Sequence, residues 1–98
     1  MRCERLDVWK RACRLSVEVY KAFVSCKDFG FKDQITRSSL SIASNIAEGM
    51  EKESDKDKSR FINISQGSAA ELITQIYIGI EIGYVEKITG LAWIKEVN

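Results

Sequence analysis

Two glutamates, Glu48 and Glu71, are the side chains of this sequence best suited to carry out chemistry. Glu48 follows Asn45 by three residues, and Glu71 lies between Ser68 and Gln75 at helical spacing. Carboxylates on facing helices can share a divalent cation or act as an acid–base pair. These residues therefore support one hypothesis, a small all-α Mg²⁺-dependent enzyme that uses Glu48 and Glu71.

A structural role explains the same residues better. Buried polar groups in helical bundles hydrogen-bond one another and fix helix register while adding little net stability. Metal sites in such bundles usually add Glu-x-x-His motifs, and this sequence contains no histidine. We therefore predict a polar network between two helices, with no catalytic, metal or cofactor site. Its predicted members are Asn45, Glu48, Gly49, Ser68, Glu71 and Gln75.

The composition excludes several other classes of protein. A chain of 98 residues suffices for one domain, predicted to span 1–98. Without histidine, catalytic triads and most zinc sites are excluded. Three cysteines without disulfide-scaffold spacing, and an N-terminus without a signal-peptide core, predict a cytoplasmic location. No apolar run approaches membrane-spanning length, so no membrane association is expected.

Positive charge is concentrated in the first part of the chain. Residues 1–37 carry nine Lys/Arg against five Asp/Glu, whereas residues 38–98 carry six against nine. A solvated helix face is the simpler interpretation, because Asp7 and Glu18 interrupt the basic residues. The alternative is contact with RNA or DNA, strengthened if several subunits repeat the patch. The candidate contact residues are Arg5, Lys10, Arg11, Arg14, Lys21 and Arg37.

The elements that position these residues are predicted to be four helices. Apolar residues recur at three- and four-residue steps, and the sequence contains no proline. The periodicity predicts helices over 6–25, 32–50 and 55–82, a turn at 27–32 and a solvated connection from 51. A fourth helix begins near 88, and its apolar pattern is still running at 98, so this helix is incomplete in the chain. The predicted fold is an all-α, antiparallel up-down four-helix bundle.

Helix one carries two apolar stripes on nearly opposite sides, although a monomeric bundle needs only one. We therefore expect one stripe to face the core and the other a neighbouring subunit; the spacing leaves open which is which. The first stripe comprises Leu6, Trp9, Cys13, Val17, Tyr20 and Val24. The second, which we name as the candidate oligomer interface, comprises Val8, Ala12, Leu15, Val19 and Phe23.

Five motifs cover almost the whole chain in a recognisable order. They are LxVWKxA at 6–12, QIxR at 34–37, SIxSNIAEG at 41–49, RFxxIxxGSxxELxTQ at 60–75 and GY at 83–84. This set resembles the bacterial four-helix-bundle proteins encoded in intervening sequences of the 23S ribosomal RNA gene, also called the S23 ribosomal protein family. Two departures are Ala43, where many members have proline, and a fourth helix shorter by roughly two turns.

The resemblance implies an antiparallel bundle that assembles as a homopentamer around a central axis. It also implies kinship with the accessory variability-determinant protein of diversity-generating retroelements, a basic pentameric bundle that binds nucleic acid and a reverse transcriptase. The function of the intervening-sequence proteins themselves is not established. The expected partners are thus further copies of this chain, RNA or DNA on the basic face of helix one, and a second protein.

Overall fold

Four antiparallel α-helices follow one another through short connections, as the sequence predicts. The computed structural model describes residues 2–98 apart from the side chain of Arg5. A short 3-10 helix, Arg2–Arg5, precedes the bundle, which measures 43 × 22 × 21 Å. The helices are α1 (Asp7–Ala22), α2 (Phe29–Met50), α3 (Asp55–Glu81) and α4 (Lys87–Val97). No strand forms among the described residues.

Polar caps set the ends of the central helices. Ser54 caps α3 by accepting a hydrogen bond from the backbone N–H of Asp57 at 3.1 Å, which confirms the predicted start. Asp28 caps α2 in the same way through the N–H of Phe31 at 3.1 Å. The prediction of a turn through 27–32 is therefore wrong, because this cap starts α2 at Phe29. Gly83, at φ 83°, allows the chain to leave α3.

The core runs along the axis of the bundle and draws on all four helices. Val19, Ile35, Leu72 and Ile76 are fully enclosed, and Trp93 of α4 is 4% exposed. Burial of each such side chain stabilises the fold by about 1.5–3 kcal/mol before the opposing entropy is counted. The apolar periodicity of the sequence thus becomes one continuous packed interior.

The candidate interface stripe of α1 faces this core instead of solvent. Its buried members are Ala12, Leu15, Val19 and Phe23. Only Val8, at the beginning of the helix, is exposed (53%). The assignment of this stripe to a subunit interface is therefore wrong for four of its five residues, since they already pack inside their own chain. Of the opposite stripe, Val17, Tyr20 and Val24 are exposed, whereas Leu6, Trp9 and Cys13 are partly buried against the core.

Candidate functional site

A row of small polar residues joins α2 to α3. The hydroxyls of Ser41 and Ser68 are 2.7 Å apart. Asn45 donates its side-chain N–H to the carbonyl and hydroxyl oxygens of Ser41 at 2.8 and 2.9 Å. Ser65 donates to the carbonyl oxygen of Ile42 at 2.9 Å. We call these five residues, together with Gly49 and Phe61, the α2–α3 seam.

Gly49 brings the two helices close together near the end of α2. A Cβ atom added there would lie 3.1 Å from Cβ of Phe61 and 3.4 Å from the carbonyl oxygen of Lys58. The neighbour is the base of a side chain and not its flexible end, so a larger residue would push α3 away. Three predicted members of the network, Asn45, Gly49 and Ser68, are thus part of the seam.

The remaining predicted members of the network lie outside these hydrogen bonds. Glu48 is exposed and forms an ion pair with Lys52 within its own helix, Oε2 to Nζ 3.5 Å. Glu71 is exposed and forms no hydrogen bond or ion pair with the described residues. Oε1 of Gln75 is buried and has no hydrogen-bond partner within the described chain. The prediction of an interhelical role is thus wrong for Glu48 and Glu71.

The two glutamates also do not assemble into a reactive centre. No hydrogen bond joins Glu48 to Glu71 in the part of the chain that the structure describes. Among residues 2–98, no group of three or more His, Cys, Asp or Glu side chains is placed to hold a metal ion. The arrangement joins helices, and it offers no paired acid and base for proton transfer.

Sequence reasoning missed a second contact between hydroxyls, which joins α1 to α2. The buried hydroxyls of Ser16 and Ser39 are 3.1 Å apart, and Ser39 also donates to the carbonyl oxygen of Thr36 at 2.8 Å. Ser39 and Ser65 were recognisable as members of apolar stripes. A hydroxyl in such a stripe needs a hydrogen-bond partner once it is buried. This rule points to the contact of Ser39 with Ser16 and to the contact of Ser65 with the carbonyl oxygen of Ile42.

Two of the candidate nucleic-acid residues are engaged in ion pairs. Arg11 donates from Nε to Oε1 of Glu96 at 2.7 Å, and this hydrogen bond holds the pKa of Glu96 below its ordinary value. Arg37 donates from Nε to Oδ1 of Asp33 at 2.9 Å. Both arginines are therefore less available to phosphates than their positions in the sequence suggest.

The remaining candidate nucleic-acid residues whose side chains are described form one exposed row on α1. Lys10, Arg14 and Lys21 are exposed, and none is held in an ion pair by the described residues. Arg14 lies close enough to Glu96 to contribute to lowering the pKa of that carboxyl, after the larger effects of Arg11. The row extends over about 17 Å at the rise of an α-helix. The side chain of Arg5 lies outside the described part of the structure.

Two stripes of exposed apolar residues border α2 on its two sides. The stripe that we call the α1 face contains Val17, Tyr20 and Val24, with Trp9 and Cys13 half-buried beside them. The stripe that we call the α3 face contains Ile64, Ile78 and Ile82, with Glu71 and Gln75 between them. Every large apolar side chain named in the two stripes, apart from Trp9, is at least 42% exposed.

The three cysteines are free, and burial raises the pKa of the Cys13 thiol, which makes it a poorer nucleophile. None of the described helices combines the length and the apolar character that crossing a bilayer requires.

The comparisons with known proteins agree with this architecture. Residues 4–98 match the family model described as 23S rRNA-intervening sequence protein. No curated protein matches the chain. It is similar to the crystal structure of a protein with unknown function from the S23 ribosomal protein family of Bacteroides thetaiotaomicron VPI-5482 (TM-score 0.85, 26% identity, 92% of this chain and 87% of that chain). Since the family model covers nearly the whole chain, the protein belongs to the family of 23S rRNA-intervening sequence proteins.

Proposed function

We propose that this chain is a non-catalytic scaffold that assembles with copies of itself in the cytoplasm. One observation carries the proposal: apolar side chains are exposed in two stripes, one on α1 and one on α3, on the two sides of α2. Single exposed apolar residues are ordinary on a monomer, whereas contiguous patches mark interaction sites. A ring of five copies, as the family resemblance implies, would cover both stripes in every subunit.

The α2–α3 seam supports this function by making the subunit rigid. The seam joins α2 to α3, which carries one stripe, and the Ser16–Ser39 contact joins α2 to α1, which carries the other, so the stripes keep a fixed relation to each other. Fixed geometry favours one closed assembly over a mixture of sizes. The free thiols fit a reducing compartment.

Native mass spectrometry of the purified chain at micromolar concentration tests the proposal. We expect one predominant closed assembly, a pentamer, that persists when the salt concentration is raised, because apolar burial is not screened by salt. A chain that remains monomeric at micromolar concentration would refute the scaffold. Sedimentation velocity in the same buffer provides an independent measure of mass.

The exposed row on α1 supports a second candidate function, contact with nucleic acid. Lys10, Arg14 and Lys21 are free of ion pairs within the described chain and repeat in every subunit of a ring. Several weak phosphate contacts on one rigid assembly add up to useful affinity, with a strong dependence on salt. No aromatic platform adjoins the row, so we expect little preference among base sequences.

Fluorescence anisotropy of structured RNA, single-stranded DNA and duplex DNA, at low and moderate salt, tests this second function. Replacing Arg14 and Lys21 by glutamine should weaken binding and flatten its salt dependence. Arg37→Gln is the matched control, since that arginine is already paired with Asp33 and its loss should change binding less. Absence of binding to all three probes at low salt would refute contact with nucleic acid and leave the scaffold that binds only proteins.

A further inference from the structure

The two apolar stripes lie on neighbouring sides of the bundle. The hydroxyl of Ser16, one helical turn before Tyr20, lies 3.1 Å from the hydroxyl of Ser39, and this contact places the α1 face beside one flank of α2. The hydrogen bond between Ser41 and Ser68 places the α3 face beside the other flank, because Gln75 follows Ser68 by seven residues, two helical turns. The α1 face and the α3 face thus meet along α2.

We infer that the α1 face of one copy packs against the α3 face of the next copy, so that identical subunits join head to tail. The inference rests on the proposed self-assembly and names the surfaces that perform it. A head-to-tail contact uses two different surfaces of one chain and closes into a ring when the angle between them permits. The alternative, two-fold contact of each face with itself, makes dimers.

The angle between the faces favours a small ring. Adjacent sides of a four-helix bundle are about 90° apart, whereas opposite sides would propagate a filament. Closure of four or five subunits requires about 90° or 108° between the two contact directions, by the geometry of a cyclic ring. The two faces of this chain therefore lie close to the angle that a tetramer or pentamer needs.

The two faces also match in length and in charge. From Trp9 to Val24 the α1 face extends about 22 Å, and from Ile64 to Ile82 the α3 face extends about 27 Å. Lys10 and Lys21 border the first face, and neither forms an ion pair with a described residue. Glu71 lies within the second face and is also unpaired among the described residues. Opposite unpaired charges on complementary apolar faces favour contact between unlike surfaces.

This arrangement determines which side of the subunit faces the axis of the ring and which side faces outward. In a ring closed through the α1 and α3 faces, the shared helix α2 points toward the axis. The exposed Leu40 of α2 (49%) would then line the central opening. The opposite side, where Arg11 of α1 pairs with Glu96 of α4, faces outward.

Two single variants and their mixture test the pairing. Val17→Arg blocks the α1 face and Ile78→Arg blocks the α3 face, because each places an unpaired guanidinium in an apolar contact. Each variant alone should be monomeric in native mass spectrometry. Mixed in equal amounts, the two should form a heterodimer and nothing larger, because one intact α3 face and one intact α1 face remain. Leu91→Arg on α4 is the matched exposed control and should assemble like the unchanged chain.

The other outcomes separate the pairing from the scaffold itself. If the unchanged chain is monomeric, the proposed function fails. If the unchanged chain assembles and either variant still forms the full assembly, or the mixture stays monomeric, the pairing is overturned. Dimers of each variant alone would show that each face contacts itself, which also overturns it. Circular dichroism checks that the variants are folded; Val24→Arg and Ile82→Arg repeat the test at a second exposed position in each face.

Discussion

The α2–α3 seam and the contact between α1 and α4 hold helices together by different means. The seam uses neutral hydroxyls and a glycine, and its serines Ser65 and Ser68 are 5% and 6% exposed. The α1–α4 contact combines the buried Trp93 with an exposed ion pair between Arg11 and Glu96. One contact therefore depends on close steric fit, and the other depends partly on charge.

This difference implies different sensitivities in the two regions. Neutral hydroxyl pairs have no group that titrates between acid and neutral pH, so the seam should respond to volume and not to pH. An exposed ion pair is screened by salt and contributes little, but it does respond to pH. Substitutions that change side-chain volume therefore test the seam, and changes of pH test the α1–α4 contact.

The largest expected effect is that of enlarging a residue of the seam. Ser68→Leu should lower the free energy of unfolding by about 1–3 kcal/mol, because the added carbons overpack the contact and Ser41 loses a partner. Urea unfolding followed by circular dichroism measures the change. The control is Ser59→Leu at an exposed position of the same helix, which should change stability by less than about 0.5 kcal/mol. Equal effects at both sites would show that steric fit does not hold the seam.

A smaller effect on the free energy of unfolding should distinguish Gly49 of α2 from Gly67 of α3. An added Cβ at Gly67 meets no atom within 4 Å, so Gly67→Ala should stabilise the helix by about 0.5–1 kcal/mol. At Gly49 the same atom lies 3.1 Å from Cβ of Phe61, and Gly49→Ala should lose that gain. Thermal and urea unfolding of the pair should differ by about 1–2 kcal/mol in favour of the Gly67 variant. A stabilising Gly49→Ala would contradict the close approach.

The smallest effect should appear at acid pH in the α1–α4 contact. The hydrogen bond from Arg11 lowers the pKa of Glu96 in the folded chain. A lowered pKa stabilises the fold above the ordinary value for glutamate, and this contribution is lost as the pH falls through the lowered folded value. Melting temperatures from pH 6 down to pH 3 should therefore fall slightly more for the unchanged chain than for Glu96→Gln.

Glu81→Gln provides the control for this comparison, since Glu81 is exposed and forms no ion pair with the described residues. It should retain the acid sensitivity of the unchanged chain. Added salt should reduce the difference between Glu96→Gln and the unchanged chain at neutral pH. If Glu96→Gln and Glu81→Gln behave alike at every pH, the ion pair does not contribute to holding α4.

The sequence predicts the helices because their signals are local and repeated. The apolar periodicity and the start of the third helix at residue 55 depend on neighbouring residues, and the structure confirms both. The predicted start of the second helix at 32 is wrong because glycine at position 30 favours a turn, whereas Asp28 accepts a hydrogen bond from the N–H of Phe31 and caps a helix that begins at Phe29. Boundaries depend on single side-chain hydrogen bonds, which periodicity does not reveal.

The partners of polar residues are harder to predict, because they depend on which side of a helix faces inward. Both stripes of α1 are apolar at the same spacing, so the pattern alone could not assign Val19 to the core or Val17 to the surface. The position of Glu48 beside Asn45 and Gly49 predicts a place in the seam. In the structure Glu48 instead forms an ion pair with Lys52, four residues later in the sequence. Distinguishing such cases requires the positions of the other helices.

The short connections between consecutive helices also bear on how fast the subunit forms. Each helix packs against its neighbour in sequence, and the connections at 23–28, 51–54 and 82–86 are brief. Chains dominated by such local contacts fold within microseconds to milliseconds, and no proline is present to impose a slow isomerisation. At micromolar concentration, typical docking rate constants of about 10⁵–10⁷ M⁻¹s⁻¹ give association times of roughly 0.1–10 s, so a newly made chain would finish folding first. The rate of any assembly would then depend on encounters between completed subunits and rise with their concentration.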